Sequence, residues 1–403
     1  MDGTRAAASG GPASPIQRVA RPGGAESAHR PGAAARRSPR SDRRRRHRAA
    51  ALSLAAVLAG GALTACATGG DPSSSAVGSA GASSFYKGKT ITFIVPGAPG
   101  KGSAFMATAL QQAMEQQLGA TIDIEYVTGA DVVGQDRVWT SAPNGLTVGA
   151  LTVISDLNNT FAKNEALSFS LKDAEASIVG ATYSQPGIFV ACGHSSVTSF
   201  ADVLGGGSGK LTWVDVTTGG MNLAVHLLMA AYPVSHEYLN GYTSSTETVA
   251  CERGDGNVAG YPVGNFLDSN GTALDAGLTG LLLTDSMPSS SPAAGLNASV
   301  PTLEKFAQEH PPATADGRKA LQLLETYFAT SAPEFALFGP KGIPQDRLDA
   351  LSAAMKAAMA EPSVQKQLAA AGIPPGYVDP AGVQTYLNTM ISNQDVAVKA
   401  LAG

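Results

Sequence analysis

The chain has 403 residues, with 28 Lys and Arg against 32 Asp and Glu, and three cysteines. The charge is unevenly placed. Residues 1–48 hold 12 of the basic residues and three acids, which leaves 16 basic against 29 acidic side chains over residues 66–403, a formal net of −13. That balance excludes a nucleic-acid binder, which spreads a basic patch over one face, and it means that an anionic ligand must be held by local dipoles against the overall field.

Residues 1–48 show no apolar periodicity and many Ala, Gly, Pro and Ser, so burial does not offset the entropy of ordering them. The segment reads as a disordered basic region, or in part as an over-extended start to the reading frame. Arg43, Arg44, Arg45 and Arg46 then give way to 49-AAALSLAAVLAGGALTAC-66. A positive stretch, a short apolar run and small residues form an export signal; the run is too short and too rich in Ala and Gly for a membrane span. Leu63-Thr64-Ala65-Cys66 is similar to the lipobox of bacterial lipoproteins, which implies cleavage before Cys66 and lipidation of its sulfur. An ordinary signal peptide, or a cytoplasmic protein with a basic tail, is the alternative. Residues 66–84 form a Gly/Ser/Ala linker, flexible by composition.

The body, residues 85–403, exceeds the size at which single cores stop growing, so two domains are expected. Its first strand is 90-TITFIV-95. A glycine loop follows, Ser103 is the expected N-cap, and Met106, Leu110, Ala113, Met114 and Leu118 fall at helical spacing before Gly119 in the C′ place. The strand 121-TIDIEYV-127, the loop 128-TGADVVG-134 with a short helix, the Asn144-Gly145 turn and the strand 146-LTVGALTV-153 come next. Strands are expected at 187-GIFVAC-192, 211-LTWVDV-216, 257-NVAGYPV-263 and 277-GLTGLLLT-284, with a helix over 223–232 after the second of these. The segment 334–344 starts as a strand and ends in a Gly/Pro turn; helices over 345–360, 362–372 and about 381–401 close the chain. Alternating strands and helices imply an α/β architecture with parallel pairing.

Two βα units carry glycine loops, 93-FIVPGAPGKGS-103 and 217-TTGGMN-222. Neither is a Walker A loop. Five residues before Gly100 stands Val95, and Lys101 is followed by Gly102; around Gly209-Lys210 the corresponding residues are Leu204 and Leu211. The dinucleotide pattern fails too, because the third place after Gly102 is Phe105. The backbone physics remains: glycines let amides turn inward, and a helix N-terminus offers unpaired N–H groups and a positive dipole end. For one loop alone, an ordinary βα turn is the simpler reading.

Five segments in order carry a resemblance. Phe85-Tyr86 through 94-IVPGAPGKGS-103 is similar to the opening strand and "VPFAPGGGTD" loop of the Bug-type solute receptors of tripartite tricarboxylate transporters. The stretches 127-VTGADVVG-134 and 142-APNGLTVGAL-151 resemble that family's "NRPGAGG" loop and "APDGYTLL" strand. The segment 211-LTWVDVTTGGMNLAVHL-227 resembles its carboxylate-gripping segment, and 336–355 with 360–375 its C-terminal run. The resemblance implies a type II periplasmic-binding-protein-like α/β fold. Its two lobes, residues 85–185 plus 334–403 and residues 186–333, would enclose a ligand cleft. By position it implies that Ala98, Gly100, Lys101, Gly102 and Ser103, the third-loop Ala130, and Thr217, Thr218, Gly219, Gly220 and Asn222 hold a carboxylate, largely through backbone amides and water. Departures are Ala104 where the family has an acid, Lys101 in place of a glycine, and Tyr261-Pro262 where an acidic residue is common. The expected protein is therefore an extracytoplasmic monomeric lipoprotein, anchored by Cys66 to the outer face of the cytoplasmic membrane. It would deliver a small carboxylate to membrane permease subunits, without cofactor or metal.

Catalysis has little support in the sequence. His194, His226, His236 and His310 have no metal-ligand spacing and no G-x-S-x-G elbow occurs; Asp215 beside Thr217 and Thr218 is more commonly a polar strand end. His226, in an apolar helix, reads as a packed core residue. A receptor for an ABC importer or a sensor kinase, and a secreted enzyme acting on a small acid, remain open. Cys192 and Cys251 either pair in an oxidising compartment or lie as two buried thiols.

Overall fold

The computed structural model describes residues 84–403 except 101, 129–130, 166–168, 170, 172–176, 208, 217–218, 267–276, 290 and 292. The basic leader, the export signal with Cys66 and the linker up to residue 83 lie outside the described residues.

Two mixed sheets organise the chain. The first contains β1 (Thr90–Pro96), β2 (Thr121–Val127), β3 (Thr147–Thr152), β4 (Ile178–Tyr183), β10 (Pro333–Phe338) and β11 (Tyr377–Val378), in the order β11-β4-β10-β3-β1-β2. The second contains β5 (Gly187–Ala191), β6 (Leu211–Val214), β7 (His236–Leu239), β8 (Val258–Pro262) and β9 (Thr279–Leu283), in the order β7-β6-β8-β5-β9. In each sheet three parallel strands are followed by one antiparallel strand arriving from the crossover and then by a fourth.

Register fixes which strand ends share an edge. In the first sheet Pro96 pairs with Val127, Phe335 with Thr152 and Pro333 with Tyr183. In the second, Val214 pairs with Leu239, Gly187 with Pro262 and Ile188 with Leu283. The carboxyl ends of the parallel strands in both sheets therefore lie at the edges where the chain crosses over. It crosses at residues 184–186 and returns through Ala332, whose carbonyl accepts from the Ser184 N–H at 2.7 Å. This is the type II periplasmic-binding arrangement: two α/β lobes with a cleft between the carboxyl ends of their strands, the place where open α/β sheets take ligands.

Thirteen α-helices with described bounds cover the sheets. On the outer face of the first sheet, α1 (Ser103–Leu118) packs with the later helices α10 (Gln345–Met359) and α11 (Pro362–Ala370), around Met106, Leu110, Leu351 and Met355. A second layer is common to both sheets. It is supplied by α2 (Asp131–Trp139), α3 (Val153–Phe161), α4 (Phe200–Leu204), α5 (Gly220–Ala231), α8 (Leu303–Glu309), α9 (Ala315–Tyr327), α12 (Pro380–Ser392) and α13 (Gln394–Leu401). Its apolar residues run from Ile94 and Leu151 under one sheet to Phe189 and Trp213 under the other. On the far side of the second sheet, α6 (Ser244–Arg253) and α7 (Val263–Phe266) enclose a smaller core. There Cys192 and Cys251 form a disulfide with Cα atoms 4.8 Å apart, tying the end of β5 to α6. His226 is a buried residue of the shared layer, stacked on Tyr238 with ring centroids 4.0 Å apart and with Nδ1 3.2 Å from the Ala400 carbonyl.

Three local expectations are corrected. Ser103 is the first helical residue of α1, and Gly102 occupies the cap at φ 52°, ψ −127°, a backbone that a residue with a Cβ adopts only under strain. The helix after β6 starts at Gly220, three residues earlier than expected, because Gly219 is extended and ends the turn. The closing helix is two helices, parted at Asn393. Thr385, Thr389 and Ser392 hydroxyls donate back to carbonyls four residues earlier, a pattern that bends helices, and the Asn393 amide donates to the Thr389 carbonyl.

Candidate functional site

Both glycine loops lie at the edges that the register turns toward the crossover. After β1, Ala98, Gly100 and Gly102 are exposed while Ser103 is buried. The α1 cap makes no side-chain hydrogen bond and its first turn holds no acid, so neither of these competes with an anion for the dipole end. A Cβ on Gly102 would stand 3.7 Å from the Phe335 ring; glycine is needed there for its φ, not for space.

After β6, the Asp215 N–H donates to the Leu239 carbonyl at 3.1 Å and the Gly219 N–H to the Val216 carbonyl at 2.7 Å, and α5 begins. Its cap, Gly219, likewise makes no side-chain hydrogen bond. This helix start abuts α3 of the first lobe. The Asn158 amide donates to the Gly219 carbonyl at 3.1 Å. The Tyr327 hydroxyl lies 2.6 Å from the Ile154 carbonyl and 3.0 Å from the Gly220 carbonyl. A Cβ on Gly220 would fall 2.6 Å from Ile154 Cδ1. Thr152, the residue before α3, pairs in register with Phe335, so a run of neighbours, Gly102, Phe335, Thr152, Ile154 and Gly220, connects the two loops.

Asn222 is buried and its Nδ2 is turned back onto Asp215 Oδ2 at 2.5 Å. Lys101, Ala130, Thr217 and Thr218 lie outside the described residues.

Gln135, Asp156, Gln185, Glu334 and Glu247 are polar groups that the sequence did not mark out, and Asp215 is one that it did. Gln135 of α2 donates through Nε2 to the buried Asp156 Oδ2 at 2.9 Å, while Gln135 Oε1 is buried without a partner among the described residues. At the crossover, Glu334 accepts the Gln185 N–H at 2.6 Å and Gln185 Nε2 at 2.8 Å, and Gln185 Oε1 accepts the Gly264 N–H at 2.9 Å. Burial pushes the Glu334 carboxyl up to about 7 against the pull of those hydrogen bonds. In the second lobe, burial raises Asp215, opposed by its bonds from Asn222 and the Val216 backbone. Burial first and the charge of Asp215 second push Glu247 up to about 9.

No group of three or more His, Cys, Asp or Glu among the described residues is placed to hold a metal, and no described helix is long and apolar enough to cross a membrane. A surface cavity of about 390 Å³, lined by His226, His236, Tyr238 and Lys319, lies between α5, β7, α9 and α13 and touches neither loop.

No protein-family model matches the chain, and no curated protein matches it. Solved structures do. MatC (Rpa3494) from Rhodopseudomonas palustris, solved with bound malate, is 18% identical; the match covers 77% of this chain and 99% of that one, with a TM-score of 0.56. R. palustris Rpa4515, solved with adipate, is 16% identical over 78% and 97%, with a TM-score of 0.59. The periplasmic binding protein BugD is 15% identical over 78% and 98%, with a TM-score of 0.57. At these identities what is shared is the fold, and it is that of the periplasmic binding proteins. The Bug-type resemblance of the five sequence segments is thus met in structure: solved Bug-type receptors share this chain's architecture along nearly their whole length.

Proposed function

We propose that the protein is an extracytoplasmic solute receptor that captures a small carboxylate in the interlobe cleft. The observation that carries this reading is the pair of glycine-led helix starts, α1 and α5, both lacking side-chain caps and both at the facing edges of the two sheets. Such N-termini favour anions, and they act locally, which suits a body with a net charge of −13 over residues 66–403. The proposed binding set is Ala98, Gly100, Lys101, Gly102, Ser103 and the third-loop Ala130 from one lobe, and Thr217, Thr218, Gly219, Gly220 and Asn222 from the other; Asn222 also donates to Asp215. The lobes are residues 85–185 plus 334–403 and residues 186–333, with α13 lying across onto α5. Malate in MatC and adipate in Rpa4515 support a carboxylate cargo.

The same reading gives the protein a lipid anchor on Cys66 at the outer face of the cytoplasmic membrane. It has no catalytic role, and it hands its cargo to a tripartite tricarboxylate transporter permease as the lobes open and close. A thermal-shift screen of the purified protein against carboxylates, amino acids, sugars and cations tests it, since a ligand of the native state raises the melting temperature by mass action. Carboxylates are expected to raise it; a response confined to sugars or cations would remove the reading.

A further inference from the structure

The surface cavity of about 390 Å³ between α5, β7, α9 and α13 has no part in the carboxylate reading. Its volume falls in the range of small-molecule pockets, about 300–1,000 Å³. Apolar side chains form much of the wall, with Met229 and Ala230 from α5, Ala320 from α9 and Val396 from α13. Tyr238 of β7, at the edge of the second sheet, lines it together with His226 and His236. His226 is stacked on the Tyr238 ring with centroids 4.0 Å apart, and His236 meets that ring at 69° with centroids 5.1 Å apart.

His226 is 8% exposed, and it borders the cavity. Its Nδ1 lies 3.2 Å from the Ala400 carbonyl. A carbonyl only accepts, so Nδ1 carries the proton, and in the neutral ring Nε2 keeps its lone pair. Burial first, helped by the neighbouring His236 and opposed by the Ala400 bond, holds the ring below its ordinary value, so it is neutral at pH 7. No described residue donates to Nε2. His236 is oriented in the same manner, with Nδ1 2.8 Å from the Val234 carbonyl.

The charged side chains that border the cavity, Asp316, Lys319, Asp395 and Lys399, cancel in sum, and Lys399 pairs with Asp316 at 2.6 Å. Neither an anion nor a cation is favoured there, in contrast to the glycine loops. The two imidazoles belong to no group of three or more His, Cys, Asp or Glu that could hold a metal among the described residues.

We propose that this cavity is a second binding site, for a small neutral aromatic molecule such as a phenol or an indole, whose O–H or N–H donates to His226 Nε2. An aromatic ring meets the imidazole and phenol rings offset or edge-on and the Met229 thioether at its edge. Its donor satisfies an acceptor of a buried side chain that has no partner among the described residues. The inference is independent of the carboxylate cleft, although α5 carries both, with Gly220 at the second loop and His226 and Met229 at the cavity.

The test is calorimetric titration of the purified protein with indole, 1-methylindole and cyclohexanol at pH 7. Indole is expected to bind. 1-Methylindole keeps the ring but lacks the N–H, and should bind about three- to tenfold more weakly, the worth of one neutral hydrogen bond. Cyclohexanol, a donor without an aromatic ring, should also be weaker than indole by about threefold or more. His226→Phe keeps a ring on Tyr238 and removes the acceptor, so indole should fall to the level of 1-methylindole, whose own affinity stays the same. Ala230→Trp, at an exposed position of α5, fills the cavity and should abolish binding of both indoles, which tests the location even where His226→Phe does not fold. The melting temperature of each variant is recorded as a check on folding. Equal binding of indole and 1-methylindole, cyclohexanol binding as well as indole, undiminished binding to folded Ala230→Trp, or no binding of either indole would each overturn the inference. None of these results would touch the receptor reading.

Discussion

Gly220→Ala probes the junction where the second loop meets the first lobe. The added Cβ would lie 2.6 Å from Ile154 Cδ1, 2.8 Å from Cγ1 and 3.5 Å from Cβ, and Ile154 is 2% exposed. Either Ile154 leaves its rotamer or the start of α5 backs away from α3. Overpacking of this kind costs about 1–3 kcal/mol, while replacing a helical glycine by alanine returns about 0.5–1 kcal/mol, so a net loss of about 1–2 kcal/mol is expected. The partner change Ile154→Ala removes both clashing atoms and costs about 2–5 kcal/mol alone, as a core truncation. In that background Gly220→Ala should be neutral or stabilising, a coupling of about 1–3 kcal/mol, within the range for residues in contact. Denaturant unfolding of the four proteins gives the cycle, and carboxylate titration should show weaker binding for Gly220→Ala than for the double variant. Additive energies, with Gly220→Ala as stable as wild type, would refute the packing of α5 on α3 described above.

The Cys192–Cys251 bridge spans a sequence separation of 59, which by loop-closure entropy restricts the unfolded chain by about 4 kcal/mol; reductant, or Cys192→Ala with Cys251→Ala, should lower the free energy of unfolding by about that much, and an unchanged free energy of unfolding would show that the bridge does not constrain the chain. Glu334 gives a pH signature. Its folded value, about 7, lies above its ordinary value of 4.5, so the native state holds the extra proton. The resulting stability, about 3 kcal/mol at most, is fully present below pH 4.5 and lost as pH rises through 7. Glu334→Gln should flatten that part of the stability–pH curve between pH 5 and 8, and a wild-type curve already flat there would contradict the assignment.

Most of the parallel scaffold was legible because its strands are β-branched or apolar runs punctuated by Gly, Pro and Asn, as in 90-TITFIV-95 and 211-LTWVDV-216. The strands that escaped notice lack that signal. Ile178–Tyr183 is interrupted by Gly180, His236–Leu239 is a short, partly exposed edge, and Tyr377–Val378 has two residues. The glycine-led helix starts could be read because cap and helix are neighbours in sequence. The contacts around them could not: Tyr327 lies 173 residues from Ile154 and 107 from Gly220, and Gln185 lies 149 from Glu334. One hint was present in 153-VISDLNNTF-161, where Asp156, Asn158 and Asn159 stand between the apolar Val153, Ile154, Leu157 and Phe161 and prove to be buried with them. Glu247, in the polar run 244-SSTETVACER-253, looks solvent-facing until α6 is laid on the second sheet.

The claim that helix N-termini of both lobes select for negative charge is tested most directly by comparing acids with their neutral amides. Malate and adipate would be titrated calorimetrically into the protein at pH 7 alongside malamide and adipamide, which keep the carbon skeleton and remove the charge. The account predicts measurable binding of at least one acid and none of its amide at the same concentrations. Equal binding of acid and amide would contradict it.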